Sequence, residues 1–153
     1  MATGWRIVPV GRAADAFVGE GAKRFGGRWN SPGRAVVYAS QHKSLAALEQ
    51  LVHHNPRTPD RFKAFQIYFP DSLIESVSLH SLPPDWRQSP PPPAAQQVGD
   101  AWARELRSAV LAVPSIIIPE ELNFLLNPAH PDFKRISVGK PEDFTFDPRL
   151  LTD

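Results

Sequence analysis

Pro90 to Pro93, four prolines in a row within Ser89-Pro-Pro-Pro-Pro-Ala94, limit the architecture of this chain more than any other stretch. Proline has a fixed φ and no backbone N–H, so the run is incompatible with a helix interior or an inner strand. It predicts an exposed polyproline II connector. Too few residues lie beyond it to build a second core, so residues 89–94 read as an internal loop of a single domain, 1–153. A Pro-rich ligand for a partner protein is the other use of such a run.

Hydrophobic periodicity marks the elements around that loop. Trp5 to Val10 reads as a first strand that Pro9 confines to an edge or ends. A glycine-rich loop follows, then a β-leaning run from Ala35 to Ala39. Ser40 is a candidate N-cap for a helix from Gln41 to His54, where Leu45, Leu48 and Val52 form one stripe and His53-His54-Asn55-Pro56 supply a stop. Phe65, Ile67 and Phe69 alternate with Gln66 and Tyr68, a half-buried strand ended by Pro70-Asp71, and Ile74 to Leu79 is another candidate. Val98, Trp102 and Leu106, four apart, predict a second amphipathic helix over Gln96 to Ser108. Leu111 to Ile118, Leu122 to Leu126 and Arg135 to Val138 lean towards strand, and Asp143 to Asp147 alternates like an edge strand. Strands with two irregularly interspersed helices read as α+β with a mixed sheet, not as repeated βαβ units.

The chain has no cysteine and no run approaching the ~20 apolar residues of a membrane span, which leads us to expect a soluble, cytoplasmic protein. The net charge of +1 conceals an asymmetry. Residues 1–43 hold seven Lys or Arg against Asp15 and Glu20, while the remainder is acidic. That distribution disfavours direct nucleic-acid binding and favours a small anionic ligand.

The cations concentrate in Gly21-Ala-Lys-Arg-Phe-Gly-Gly-Arg-Trp-Asn-Ser-Pro-Gly33, a stretch with two large aromatics that a plain turn does not require. Neither phosphate-binding glycine motif is present, and the order here is loop then strand. Asn30 to Gly33 supply a turn, and Gly26 and Gly27 would let backbone approach a ligand before Arg28. Glu49 falls about 40° from Leu45 on a helical wheel, at the margin of the apolar stripe. Its carboxylate should be paired, with Arg28 a candidate, or aimed at a ligand; the plainer alternative is a border glutamate reaching solvent. Ser115 is a lone hydroxyl in an apolar run, most simply a structural hydrogen bonder. Asn123 and Asn127 suit turns or a ligand amide. Glu49, His53 and His130 form a weak metal trio, since both histidines have ready explanations at a helix end and a turn, and we expect no metal.

Taken together, GAKRFGGRWNSPG, VVYAS, SLAALEQLVHH and VPSIIIPEELNFLLNPAHPDF make the chain similar to the RES family, named for an arginine, a glutamate and a serine. The resemblance runs from Trp5 to about Val138, and residues 71–95 contribute nothing to it. It implies a mixed, split β-sheet flanked by helices, as in ADP-ribosyltransferase folds. It also implies a bacterial toxin that destroys NAD+, restrained by an antitoxin with a helix-turn-helix. By that resemblance Arg28, Tyr38, Glu49 and Ser115 are the active-site residues. Arg28 would grip pyrophosphate or ribose, and Tyr38, with Trp29 or Phe25, would stack on nicotinamide. Glu49 would stabilise an oxocarbenium-like centre, while Ser115, Asn123 and Asn127 orient amide or ribose. Gly27 would allow close approach, and Arg6, with Lys23 and Arg24 more weakly, would meet phosphate. NAD+ enters as substrate with no further cofactor, and inorganic phosphate is a candidate co-substrate. The acceptor, whether phosphate, water or protein, stays open, as does a homodimer; a non-catalytic nucleotide- or nucleic-acid-binding module is the contrasting class.

Overall fold

The computed structural model describes residues 1–53 and 61–151. In chain order the elements are β1 (Ala2–Pro9), α1 (Glu20–Phe25), β2 (Val37–Ser40), α2 (Lys43–Leu51), β3 (Phe62–Phe69) and β4 (Ile74–Ser76). They continue with α3 (Pro93–Arg104), β5 (Val110–Pro114), β6 (Leu122–Leu126), β7 (Ser137–Val138) and β8 (Glu142–Phe144). The strands form an eight-stranded sheet in the order β4-β5-β6-β2-β1-β3-β7, with β8 also on β3. Among the described strands only β4 and β5 run parallel, so the sheet is mixed and the class is α+β, as expected. It divides at its outer edge, where β7 pairs with Ile67 and Tyr68 while β8 pairs with Phe62 to Ala64.

The burial of each strand follows its sequence. All five residues of β5 are buried, because this apolar run is covered on both faces. Val110 and Ala112 pack with Phe69, Leu73 and Phe124, while Leu111 and Val113 pack with Trp29, Trp86 and Trp102. β3 likewise turns Phe62 and Ala64 towards Ile7 and Ala46 of α2, and Ile67 and Phe69 towards the larger cluster. Pro9 ends β1 and does not place it at an edge, since β1 lies between β2 and β3. β4, β5, β7 and β8 are shorter than the runs that suggested them, and Ile116 to Ile118 turn away from β5.

Several expectations need correction. Part of the expected glycine-rich loop is the helix α1, framed by Gly19 at φ 80 and Gly26 at φ 74, conformations that glycine adopts without strain. Ser40 closes β2 instead of capping a helix, and His42 holds the N-cap position of α2. Leu45 and Ala46 form the buried contact of α2, while Val52 is exposed, because small Ala46 lets the helix rest on the sheet one step round from the predicted stripe. The expected stop at His54-Asn55-Pro56 lies outside the described residues. The proline run is only partly a connector: Pro93 is the first residue of α3, where its missing N–H has no partner to lose. α3 ends at Arg104 and buries Ala95, Gly99, Trp102 and Ala103, so Leu106 lies past the helix, exposed, at φ 51. Among the described residues no helix is long and apolar enough to cross a membrane.

Candidate active site

Glu49 projects from α2 into an open cleft of about 1180 Å³ whose other walls include Arg6, Arg28, Tyr38, Gln96 and Asn123. Its Oε1 accepts hydrogen bonds from Ser115 Oγ and Asn123 Nδ2, each at 2.8 Å. Among the described residues none donates to Oε2. Strand register brings the three together. Val113 pairs with Asn123, so Ser115, just beyond β5, arrives beside it, and Ser40 pairs with Asn123 from the other side. Ser40 Oγ donates to Asn123 Oδ1 at 2.7 Å, which leaves the amide nitrogen for Glu49. Ser115 Oγ also accepts from the amides of Ile117 and Ile118, and the residue is 0% exposed. Ser115 therefore orients the carboxylate and offers no surface to a substrate.

Arg28 is not paired with Glu49, contrary to expectation. It stands in a tight turn closed by the bridge between Gly27 and Asn30, and its guanidinium faces the segment before the prolines. Nη1 donates to the carbonyls of Trp86 and Gln88, and Nη2 to Ser89 Oγ at 2.8 Å. Burial lowers the Arg28 pKa, and the Glu49 carboxylate and Tyr38 work against that. Arg87 ties the same segment to the opposite wall by donating through Nε and Nη2 to the Ile116 carbonyl. Residues 86–89 thus form a strap between the arginine turn and the turn that carries Ser115, and Ser89, Pro90 and Pro91 line the cleft. Nothing in the residue spacing marks these positions or Gln96 as part of a site; the one available sign was that a Pro-rich loop is stiff enough to make a wall.

Tyr38 underlies the arginine turn. Its hydroxyl donates to Asn30 Oδ1 at 2.5 Å and accepts from the Trp29 amide at 3.2 Å. Burial pushes the phenol well above its ordinary pKa; the Trp29 amide opposes this, Asp100 adds to it and Arg28 opposes it. A Cβ on Gly27 would lie 2.7 Å from that hydroxyl, so the glycine makes room for Tyr38 and not for a ligand. Trp29 is 1% exposed and stacks on Trp86 with ring centroids 5.9 Å apart, which removes it as a stacking platform. Phe25, 75% exposed at the rim, and the Tyr38 ring in the wall keep that capacity.

Arg6 reaches the cleft from β1, donating through Nε to the Ala16 carbonyl at 2.6 Å and through Nη1 to the Tyr38 carbonyl at 2.7 Å. Burial, assisted by the like charge of Arg12, lowers its pKa to about 10, so it remains a cation at neutral pH. Asn127 is not at the cleft. It sits at the far end of β6 from Asn123, donates to the Ala103 carbonyl and accepts from the Ala129 amide, the turn role that fits a buried asparagine. Lys23 and Arg24 do not line the cleft either, and Arg24 lies over the Phe25 ring. His130 Nδ1 accepts from the Asp132 amide. No group of three His, Cys, Asp or Glu suited to a metal occurs among the described residues.

The mixed sheet and its cleft define an α+β protein whose candidate site is built around a glutamate anchored by a serine and an asparagine beside an arginine turn. Residues 3–147 match the RES domain, and the chain belongs to that family. It is 41% identical over 153 residues to the Prs ADP-ribosylating toxin of Sphingobium sp. (strain YBL2), across 96% of this chain and 95% of that protein. It is 40% identical over 148 residues to a protein named Toxin Res from Yersinia enterocolitica, across 95% and 97% of the two chains. Its fold is similar, with a TM-score of 0.75 and 21% identity, to a chain in the crystal structure of the M. tuberculosis MbcT-MbcA toxin-antitoxin complex, covering 98% of this chain and 86% of that one.

Proposed function

We propose that this chain is the toxin of a toxin–antitoxin pair and that it cleaves the bond between nicotinamide and ribose in NAD+. The observation that carries the reading is the state of Glu49. One oxygen is fastened by Ser115 and Asn123, and the other is left to the cleft. Cleavage breaks the C1′–N bond, nicotinamide departs with the bonding electrons, and positive charge develops at C1′ and the ring oxygen. A fixed carboxylate stabilises that charge without reorganising, the arrangement in which electrostatic catalysis is strongest. The incoming oxygen, from water or hydrogen phosphate, then bonds to C1′; water releases one proton to solvent in doing so, and hydrogen phosphate need release none.

The rest of the cleft suits the dinucleotide. Its volume lies at or above the ~300–1,000 Å³ of ordinary ligand pockets, as two joined nucleotides require. Arg6 presents positive charge in the wall of the cleft at the Tyr38 carbonyl, and Arg28 presents it beneath the strap. These cations favour the pyrophosphate, and with it an inorganic phosphate nucleophile. Transfer of ADP-ribose to a protein is the second reading, supported by the name of the Sphingobium relative, an ADP-ribosylating toxin, and by the open rim at Phe25 and Val52.

The partner in this proposal is a separately encoded antitoxin, as in the complex that holds the structural neighbour. A helix-turn-helix on that partner would make any DNA contact, and the toxin would act in the cytoplasm, where NAD+ is abundant. Incubating the purified protein with NAD+, with and without phosphate and with cell proteins, and resolving products by mass spectrometry separates the acceptors. ADP-ribose, its 1″-phosphate or a modified protein each identifies one; intact NAD+ under every condition refutes the enzyme.

A further inference from the structure

We infer that Gln96 of α3, with Asp100 one turn further on, is a positioning residue for Arg28. This rests on the reading above that Arg28 contacts NAD+. Gln96 Nε2 donates to the carbonyls of Gly27 at 3.0 Å and Asn30 at 3.3 Å. Those are the two residues whose bridge closes the turn, so one side-chain amide grips both legs of the turn that carries Arg28. Asp100 holds the exit, accepting from the Ser31 amide at 3.0 Å and from Ser31 Oγ at 2.5 Å. Between them Gly99 lets the helix lie against the turn: a Cβ there would sit 2.0 Å from the Trp29 carbonyl oxygen. Spacings of three and four put residues 96, 99 and 100 on one side of the helix.

The clamp is anchored at both ends. Ala95, Trp102 and Ala103 root α3 in the core, and Trp102 Nε1 donates to Ser108 Oγ. Tyr38 supports the turn from the sheet side. Arg28 is a long lever on a short turn, so a small rotation of the turn moves its guanidinium much further. The clamp bonds to the arginine turn and not to Glu49, whose partners are Ser115 and Asn123. Its loss therefore weakens substrate binding and spares the bond-breaking step.

Kinetics and hydrogen exchange on the full chain test this together. Gln96→Ala should raise KM for NAD+ about tenfold, the worth of roughly one good hydrogen bond, and leave kcat within about twofold. In an Arg28→Ala background the same change should raise KM no further. Asp100→Ala should behave like Gln96→Ala. Asp100→Asn should recover most of the loss, because its amide oxygen still accepts from the Ser31 amide and the Ser31 hydroxyl can reverse to accept from its nitrogen. A fall in kcat at constant KM, or an equal KM rise with and without Arg28, overturns the inference. Amide exchange needs no NAD+: Gln96→Ala should speed exchange at residues 27–31 and leave β5 and β6 unchanged. Faster exchange with no NAD+ turnover by the wild type would sustain the clamp and refute the proposed reaction, whereas unchanged exchange refutes the clamp.

Discussion

Ser115 Oγ donates a 2.8 Å hydrogen bond to Glu49 Oε1 across 66 positions of sequence. The same oxygen accepts from the amides of Ile117 and Ile118, so Ser115 fixes both the Glu49 carboxylate and the turn after β5. Ser115→Ala strands those amides in a partly buried setting. It should cost about 1–3 kcal/mol in a denaturant titration, and nicotinamide release should fall with it. Wild-type stability in the variant would contradict the role assigned to the hydroxyl.

Gly99 and Gly27 both brace the arginine turn, but they face different neighbours. A Cβ at position 99 meets the Trp29 backbone carbonyl at 2.0 Å, while one at 27 meets the Tyr38 hydroxyl at 2.7 Å. Backbone in a packed turn yields less than a side chain. Gly99→Ala should therefore lose about 3 kcal/mol or more, and Gly27→Ala between about 1 and 3 kcal/mol with the Tyr38 to Asn30 bond broken. Thermal melts that reverse this order would show that the turn is not clamped as described.

These contacts set what could be read from sequence. Alternation in Phe65, Ile67 and Phe69, the apolar run of β5 and the marginal place of Glu49 on its helix are local properties, and each survives in the structure. The bond between Ser115 and Glu49 is not local. It requires α2 to meet β6 at the strand pair that seats Asn123, a matter of register that no spacing records. The 86–89 strap escaped for a related reason, because its carbonyls, not its side chains, receive most of the Arg28 bonds. The stripe ending in Leu106 failed through overextension: the helix stops at Arg104, and the chain turns away at a positive φ. Trp29 misled in another way, since an aromatic beside cations can serve the core as well as a ligand.

Tyr38 makes stability depend on alkaline pH. Burial raises its pKa above the ordinary 10.0, so as pH passes that value the unfolded chain releases a proton that the folded chain keeps. The unfolded state then binds fewer protons, and stability falls as pH rises. Arg6, lowered to about 10, acts in the opposite sense but is common to wild type and variant. The stability advantage of wild type over Tyr38→Phe should thus be constant below about pH 9 and shrink by roughly 1.4 kcal/mol per pH unit above 10. A difference that stays level through that range would contradict the buried phenol.

Arg28 holds the strap, and in the proposed function it also grips NAD+. Arg28→Lys replaces a planar fork with one ammonium, which cannot reach the Trp86 and Gln88 carbonyls and Ser89 Oγ in the same geometry. Exchange at residues 86–89 should quicken in this variant, and KM for NAD+ should rise by about tenfold or more. An unchanged strap with unchanged KM would remove Arg28 from both roles.

Glu49→Gln separates the charge of the carboxylate from its position, because an amide oxygen can still accept from Ser115 Oγ and Asn123 Nδ2 while the negative charge is gone. Nicotinamide release from saturating NAD+ is measured for wild type and variant, with NAD+ affinity determined alongside by calorimetry. The wild type should release nicotinamide, affinity in the variant should stay within a few-fold, and its kcat should be lower by about 10²–10³-fold. Equal release by the variant, or no release by the wild type, would contradict the proposed reaction at Glu49.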